Sequence, residues 1–276
     1  MSNEIYWSKA LERTNRCVKE GKVIPIPTKD ITNEVYYKND FIIRKLDTKK
    51  FKVRNDIGPE ENPFSPWDES LEIAGIGSKH HLILNKYPVQ KGHILLITNE
   101  WKPQEGWLEV DDWSAIQTVN KDTSGLWFFN SGPLAGASQP HRHIQLLRRL
   151  PNELNCPRED WFINSERNNR IEGKLTKNII TKKFNFDLEP NNLYDIYIQL
   201  AKGIGLGDPI NETKPLFPYN LLITNRWIAI IKRTSDYVHG FSINALGFAG
   251  YILVTDNCDK FFLNRNGPEK LLECFI

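Results

Sequence analysis

The chain has 276 residues, with 36 Lys and Arg against 34 Asp and Glu, and a net charge of +2 gives no broad basic field for nucleic acid. Hydrophobic residues make up 40%, including 8 Trp, 9 Tyr and 14 Phe, enough for a sizeable core and against disorder. Cys17, Cys156, Cys258 and Cys274 are dispersed and form no Cys-x-x-Cys pair, which argues against a zinc ribbon or a disulfide framework. The first residues lack the apolar stretch of a signal peptide and no apolar run reaches the length of a membrane span, so a cytoplasmic protein without membrane contact is expected.

In chain order, Ser2 is a candidate cap for a helix over residues 4–20, closed by Gly21. Residues 34–38 and 41–44 read as strands around an Asn39-Asp40 turn, and a basic stretch with Lys45, Lys49, Lys50, Lys52 and Arg54 follows. Residues 56–67 hold three prolines and a glycine and read as a structured loop. The apolar runs 81–85 and 93–98 form a strand, connection, strand unit, and Asp111 or Asp112 is placed to cap a helix carrying Trp113, Ile116 and Val119 inward. Two more strands, 126–129 and 141–147, are joined by a loop of small residues.

Residues 151–189 are polar and read as a linker or insertion between an N-terminal region, 1–150, and a C-terminal region, 190–276. In the latter, Leu193, Ile196, Tyr197, Leu200 and Ile204 have helical spacing, and residues 220–224 and 227–233 form a hairpin around Asn225-Arg226. Ser242 is expected to cap a helix running to Val254, and Pro268 suits the first turn of a terminal helix that docks Leu271, Leu272 and Phe275.

The chemistry concentrates in Gly136-Ala-Ser-Gln-Pro-His141-Arg-His143-Ile-Gln145. On an extended strand His141, His143 and Gln145 share one face while Ile144 and Leu146 take the other. A neutral imidazole is a good nucleophile toward phosphorus if it is held in one tautomer. A His143 Nδ1 proton given to a backbone carbonyl would leave Nε2 free, with His141 and Gln145 beside the phosphate oxygens. Gly132 and Gly136 permit close backbone approach, and Asn130, Ser138, Gln139 and the loop N–H groups can cradle negative charge. The alternative for His-x-His on a strand is a zinc or iron pair, as in a cupin. Such a site wants a carboxylate shortly afterwards, where this chain has Leu146-Leu147-Arg148-Arg149, and two arginines repel a cation.

Asn130-Ser-Gly-Pro with Gly136-Ala-Ser-Gln-Pro-His-Arg-His-Ile-Gln145 resembles the active-site signature of the diadenosine tetraphosphate (Ap4A) phosphorylases, or ATP adenylyltransferases, the His-x-His-x-Gln branch of the histidine-triad superfamily. Asn62-Pro-Phe, Leu84-Asn-Lys-Tyr-Pro with His93-Ile-Leu-Leu-Ile-Thr, Pro218-Tyr-Asn-Leu-Leu-Ile-Thr and Asn244-Ala-Leu-Gly-Phe-Ala-Gly extend the likeness over most of the chain. The resemblance implies an α+β fold with a histidine-triad-like antiparallel sheet and flanking helices, the C-terminal region completing the same body. It implies that His143 is adenylylated, that Gln145 contacts the phosphate oxygens and that His141 orients the site. Asn130, Gly136, Ala137, Ser138 and Gln139 match the polyphosphate loop, Asn85 and Lys86 match a nucleotide-contacting segment, and Lys52 stands for an N-terminal phosphate-contacting lysine. Asn220, a polar amide at the start of an apolar strand, gains a nucleotide as its implied partner.

The implied reaction is phosphorolysis of Ap4A to ATP and ADP, with inorganic phosphate as co-substrate. Arg148, Arg149, Arg226, Lys232 and Arg233 are candidates to hold that phosphate. No cofactor is expected to bind tightly and no metal site is expected, Mg²⁺ entering only with the polyphosphate. Rival readings are a galactose-1-phosphate uridylyltransferase, whose family has Pro where Arg142 stands, and a non-catalytic nucleotide sensor. For His80, His81, His239, Trp227 and Phe248 the packing role outweighs the catalytic one.

Overall fold

A computed structural model of the chain describes residues 4–32, 40–47, 64, 66–150, 153–165 and 173–276. Helix α1 (Ile5–Lys19) runs where the sequence predicts it, with Glu4 at its N-cap position; Ser2 lies outside the described residues. The N–H groups of Ile5 and Tyr6 donate 3.0 and 2.9 Å to the Asp122 carboxylate, which sets a negative charge at the positive end of the helix. Gly21 closes the helix at a φ of 70°. Strands β1 (Thr28–Asp30) and β2 (Ile42–Leu46) pair antiparallel. The strand expected at 34–38 lies outside the described residues.

The main sheet begins with β3 (Glu72–Ile76), β4 (His80–Leu84) and β5 (Ile94–Thr98). Helix α2 (Val110–Asp122) follows, starting slightly earlier than expected: Glu109 occupies the N-cap, and its N–H donates 2.8 Å to Asp112. Strands β6 (Leu126–Asn130) and β7 (His143–Leu147) flank the small-residue loop. The segment 151–189, expected as a polar linker or insertion, adds elements to the body. Its described part carries α3 (Glu159–Ser165), α4 (Lys174–Asn178) and β8 (Ile179–Lys183), and β8 pairs with a C-terminal strand. A few anchors, Cys156, Phe162, Leu175 and Ile179, are buried within a stretch whose average polarity hides them.

Helix α5 (Pro190–Gly203) buries Leu193, Ile196, Tyr197 and Leu200, as their spacing predicts. The hairpin is β9 (Tyr219–Ile223) with β10 (Trp227–Lys232). The expected helix from Ser242 to Val254 is not formed. After β11 (Tyr237–Val238) and β12 (Phe241–Ser242) comes a short α6 (Ala245–Phe248), capped by Asn244, and then β13 (Tyr251–Val254), parallel to β2. Gly250 makes the break at a φ of 107°, where a Cβ would lie 2.5 Å from the Asp40 carbonyl oxygen, and Tyr-Ile-Leu-Val favours a strand. Helix α7 (Lys260–Leu272) kinks at Gly267, Pro268 starts its second segment, and Leu271, Leu272 and Phe275 are buried as expected.

The eight strands lie in the order β3-β4-β5-β7-β6-β9-β10-β8, every neighbouring pair antiparallel. The N-terminal and C-terminal regions thus share one α+β body with a large antiparallel sheet. Register decides its faces. Ile144 and Leu146 stand opposite Leu96 and Ile94, and join Trp127, Leu221 and Ile228 in a core closed by α1, α2 and α5. Burying Ile116 and Val119 of α2 completely contributes about 1.5–3 kcal/mol each. The opposite face bears His143, Gln145, Phe128 and Leu222, and its outer part packs against β2, α3, α6 and α7. Trp227 stacks on Phe162 there, with ring centroids 4.5 Å apart, so it is core. Among the described residues no helix is long and apolar enough to cross a membrane, and the four cysteines are free thiols.

Candidate active site

Strand β7 sits between β5 and β6, with Ile97 opposite His143 and Phe128 opposite Gln145. The alternation of the strand therefore delivers His143 and Gln145 to the face away from α2 and α5, as expected. His143 Nδ1 lies 2.8 Å from the His141 carbonyl oxygen. A carbonyl only accepts, so Nδ1 carries the proton and Nε2 holds the lone pair. No described residue hydrogen-bonds to that Nε2. Burial pulls the His143 pKa down to about 4, against the opposing His141 carbonyl, and the ring is neutral at pH 7.

His141 is held differently. Its Nε2 lies 2.9 Å from the Thr98 carbonyl oxygen and 3.0 Å from the Thr98 hydroxyl, and burial lowers its pKa while backbone groups of Thr98 and Glu100 oppose the shift. With its ring engaged by β5 and its carbonyl fixing His143, His141 is a positioning residue. Phe64 covers both rings edge-on, at centroid distances of 5.4 and 5.5 Å. Between the two histidines Arg142 points to the other face, 3.1 Å from Asp112 and 3.2 Å from Glu109, and Asp112 is 2.8 Å from His80. Burial alone would raise the Asp112 carboxyl, but the His80 hydrogen bond and the Arg142 charge hold it below its ordinary value. His80 thus completes a structural ion network.

The loop begins where β6 and β7 part, and the buried Gln104 side chain fills the gap. Its amide accepts the His143 N–H at 2.8 Å and donates 2.8 Å to the Asn130 carbonyl and 3.1 Å to the His143 carbonyl. Gly132 and Gly136 take φ values of 79° and 85°, and a Cβ on Gly136 would lie 2.6 Å from that of Asn244. The N–H groups of Gly136 and Ala137 are used inside the loop, donating to Pro133 and Gly132. Those of Ser138 and Gln139 meet no described protein group, and the Gln139 side-chain oxygen is buried without a hydrogen-bond partner. Gly136 and Ala137 therefore spend their N–H groups in holding the loop, while those of Ser138 and Gln139 have no protein acceptor among the described residues.

Asn130 and Asn220 are brought together, but as anchors. The Asn220 amide donates 2.9 Å to the Asn130 side chain and 2.8 Å to the Ala135 carbonyl, while Asn130 also accepts the Ala245 N–H at 3.0 Å. Arg233 bonds to the Asn220 oxygen and to the Ile243 carbonyl at 2.7 Å, and burial brings its pKa down to about 9. It is a buried tie between the loop and the C-terminal region rather than an exposed phosphate holder. Asn85 follows β4 with its oxygen accepting the Tyr87 N–H at 2.9 Å and its nitrogen 3.3 Å from His93 Nδ1. Lys86 is exposed.

Two expected site residues stand elsewhere. Arg226 occupies the β9–β10 turn, at the end of the strands opposite His143, and pairs with Glu159 at 2.8 Å. Lys232 pairs in register with Tyr219 on the helix-covered face and lies over the Phe217 ring at 3.8 Å. The hairpin forms as its sequence predicts, but turn position and strand parity carry both cations away from the nucleophile. Arg148 and Arg149 also follow the far end of β7; Arg148 pairs with Glu4 at 3.0 Å and Arg149 stacks on Tyr251 at 4.4 Å. Lys52 lies outside the described residues. Sequence reasoning missed Gln104, Thr98 and the role of His93. A glutamine in a turn carries no local signal, whereas a histidine directly after Gly92 and before an apolar strand carries a weak one.

An imidazole with one nitrogen fixed and the other bare, on a strand beside a glycine-shaped anion loop, defines a nucleophilic nucleotidyl-transfer site. The model of the Ap4A phosphorylase N-terminal domain matches residues 1–161 and that of the ATP adenylyltransferase C-terminal domain matches residues 174–275, so the chain belongs to the Ap4A phosphorylase family. Diadenosine 5',5'''-P1,P4-tetraphosphate phosphorylase 2 of Saccharomyces cerevisiae is 29% identical over 233 residues, covering 74% of this chain and 71% of the relative. Protein APA1 of the same yeast is 28% identical over 245 residues, covering 78% and 76%. The crystal structure of yeast Ap4A phosphorylase Apa2 in complex with Ap4A has the same fold, with a TM-score of 0.73 at 20% identity over 97% of this chain and 94% of that one.

Proposed function

We propose that this protein cleaves Ap4A by phosphorolysis, giving ATP and ADP through an AMP group carried on His143. The observation that carries the reading is the His143 tautomer: Nδ1 is tied to the His141 carbonyl, and Nε2 stands bare on the face reached by the loop. In the first displacement Nε2 attacks the α-phosphorus, the bond from that phosphorus to the bridging oxygen breaks, and ATP leaves. In the second a phosphate oxygen attacks the same phosphorus, the N–P bond breaks, and ADP leaves. The ring is cationic while it carries AMP, and the hydrogen bond to the His141 carbonyl strengthens in that state.

The Ser138 and Gln139 N–H groups have no protein acceptor among the described residues and are available to the phosphate oxygens where charge grows, and Gln145 lies two residues along the same strand face. The leaving polyphosphate is stable as an anion, so positioning and charge stabilisation carry most of the catalysis. The set of site residues with side-chain or backbone groups to offer the dinucleotide is Gln145, Ser138, Gln139 and Lys86, with His141, Asn85, Asn130, Asn220, Gly136 and Ala137 shaping it. Any Mg²⁺ is held by the polyphosphate, and an unchanged rate in excess chelator would contradict its use. The free thiols suit a reducing compartment such as the cytoplasm.

Incubation with Ap4A, with and without phosphate, tests the reading by chromatography of the nucleotides. Equal ATP and ADP are expected only with phosphate, and neither from His143→Ala. Release of AMP, by contrast, would mean that water takes the adenylyl group.

A further inference from the structure

His93 is the one imidazole of the site face that the two-step chemistry leaves without a task. It precedes β5, is 2% exposed and packs its ring against Phe128, which stands opposite Gln145. Its protonation pattern can be read from its neighbours. The Tyr87 N–H donates 2.9 Å to Asn85 Oδ1, which fixes that amide and leaves Asn85 Nδ2 as the group facing His93 Nδ1 at 3.3 Å. An amide nitrogen only donates, so Nδ1 accepts and the single ring proton sits on Nε2. That Nε2–H is buried and meets no hydrogen-bond partner. Strand alternation puts His93 on the face of Leu95, which stands opposite Gln145, so the two side chains are neighbours on that face. The Gln145 amide favours the protonated ring, but burial and the His143 ring outweigh it and hold His93 neutral. A buried donor left unmade costs free energy, and one on the face of a reacting site has a ready explanation in a partner acquired when substrate binds.

We propose that His93 is a positioning residue for Gln145: its Nε2–H donates to Gln145 Oε1 in the nucleotide complex and turns the Gln145 amide nitrogen toward the α-phosphate. The arrangement makes a directed chain, Tyr87 N–H to Asn85, Asn85 to His93 and His93 to Gln145, in which every link is donor to acceptor. Glutamine has two chemically opposite ends, and only the nitrogen end can stabilise a phosphate oxygen. Because His93 Nε2–H can only donate, the chain settles which end of Gln145 faces the substrate as the complex forms. Asn85 thereby acts on the nucleotide through His93. This rests on the reading of the site as an adenylyl-transfer centre.

The test has a readout that does not depend on turnover. In the wild-type protein, the ¹⁵N shifts of the imidazoles, assigned with His93→Gln, should show His93 as the neutral Nε2–H form at pH 7. In kinetics with Ap4A, His93→Leu should lower kcat/KM roughly 10- to 100-fold, and His93→Gln, which keeps a donor at similar reach, should recover most of it. In a Gln145→Ala background the same His93→Leu change should cost less than about twofold. An Nδ1–H tautomer, or an equal loss in both backgrounds, would overturn the proposal. If His93→Leu does not fold, the tautomer and the His93→Gln cycle decide it. If the wild type shows no phosphate-dependent Ap4A cleavage, the functional reading fails, whereas the tautomer measurement still judges the hydrogen-bond chain.

Discussion

On the helix-covered face of the sheet, His80, Asp112 and Arg142 close a buried network in which the carboxylate meets the guanidinium at 3.1 Å and the imidazole at 2.8 Å. On the other face, His93 and Gln139 keep buried atoms that meet no hydrogen-bond partner, and His143 Nε2 is bare. Residues 141–145 alternate between the two, since Arg142 belongs to the first cluster while His141, His143 and Gln145 belong to the second. The histidine bound to a carboxylate stabilises the fold, although Arg142 Nε in that network is itself buried without a partner, and the histidines with a free ring nitrogen are open to a ligand. The difference separates a histidine of structure from a histidine of chemistry without any appeal to spacing.

The sharpest break of this contrast comes from the nucleophile. His143→Ala should lower adenylyl transfer by at least about 10⁴-fold, far more than the modest stability loss expected in a denaturant titration from the cavity its buried ring leaves. Asp112→Ala should do the reverse. Leaving buried Arg142 with only the half-exposed Glu109 as its carboxylate, and His80 without its partner, should cost about 3–5 kcal/mol of stability in a urea titration, the larger effect being on folding. Gly136→Ala adds a Cβ at a φ of 85° against Asn244 and should cost about 1–3 kcal/mol together with a clear loss of kcat.

The protonation states give a graded test. With the His143 pKa drawn down to about 4 by burial, kcat/KM for Ap4A should hold from pH 7 to near 5 and fall with a midpoint close to 4. An ordinary histidine midpoint near 6.5 would contradict the buried, neutral nucleophile. The same shift has a sign for stability. Between about 6.5 and 4 the unfolded chain binds a proton that the folded His143 does not, so stability falls as the pH is lowered through that window. Smallest of all, Arg226→Ala should leave kcat/KM within about twofold, since its partner Glu159 is at the far end of the sheet and an exposed ion pair contributes little.

The sequence made the site strand legible because period-two alternation places side chains on a known face. The same rule applied to Lys232 would have sent it to the helix side, opposite Ile231 and Asn220, which face His143. The loop was legible as glycine-rich, but which N–H groups are spent internally depends on the 3-10 turn at Pro133–Ala135 and cannot be counted from composition. Gln104 and Thr98 were invisible because their partners are 39 and 43 residues away in sequence. The expected helix after Ser242 failed through Gly250, whose positive φ breaks the helix and whose backbone lies too close to the Asp40 carbonyl for any Cβ. Local pattern thus specified the chemistry, and long-range contact specified the shape around it.

The measurement that tests the central claim most directly is isolation of the charged enzyme. The protein is mixed with Ap4A in the absence of phosphate, quenched without acid, and examined by intact mass and peptide mapping. One AMP per chain on His143, one ATP released with it, and discharge to ADP on adding phosphate are the predicted results. An unmodified His143 in an enzyme that still makes ATP and ADP when phosphate is present would contradict the account, because the transfer would then be direct.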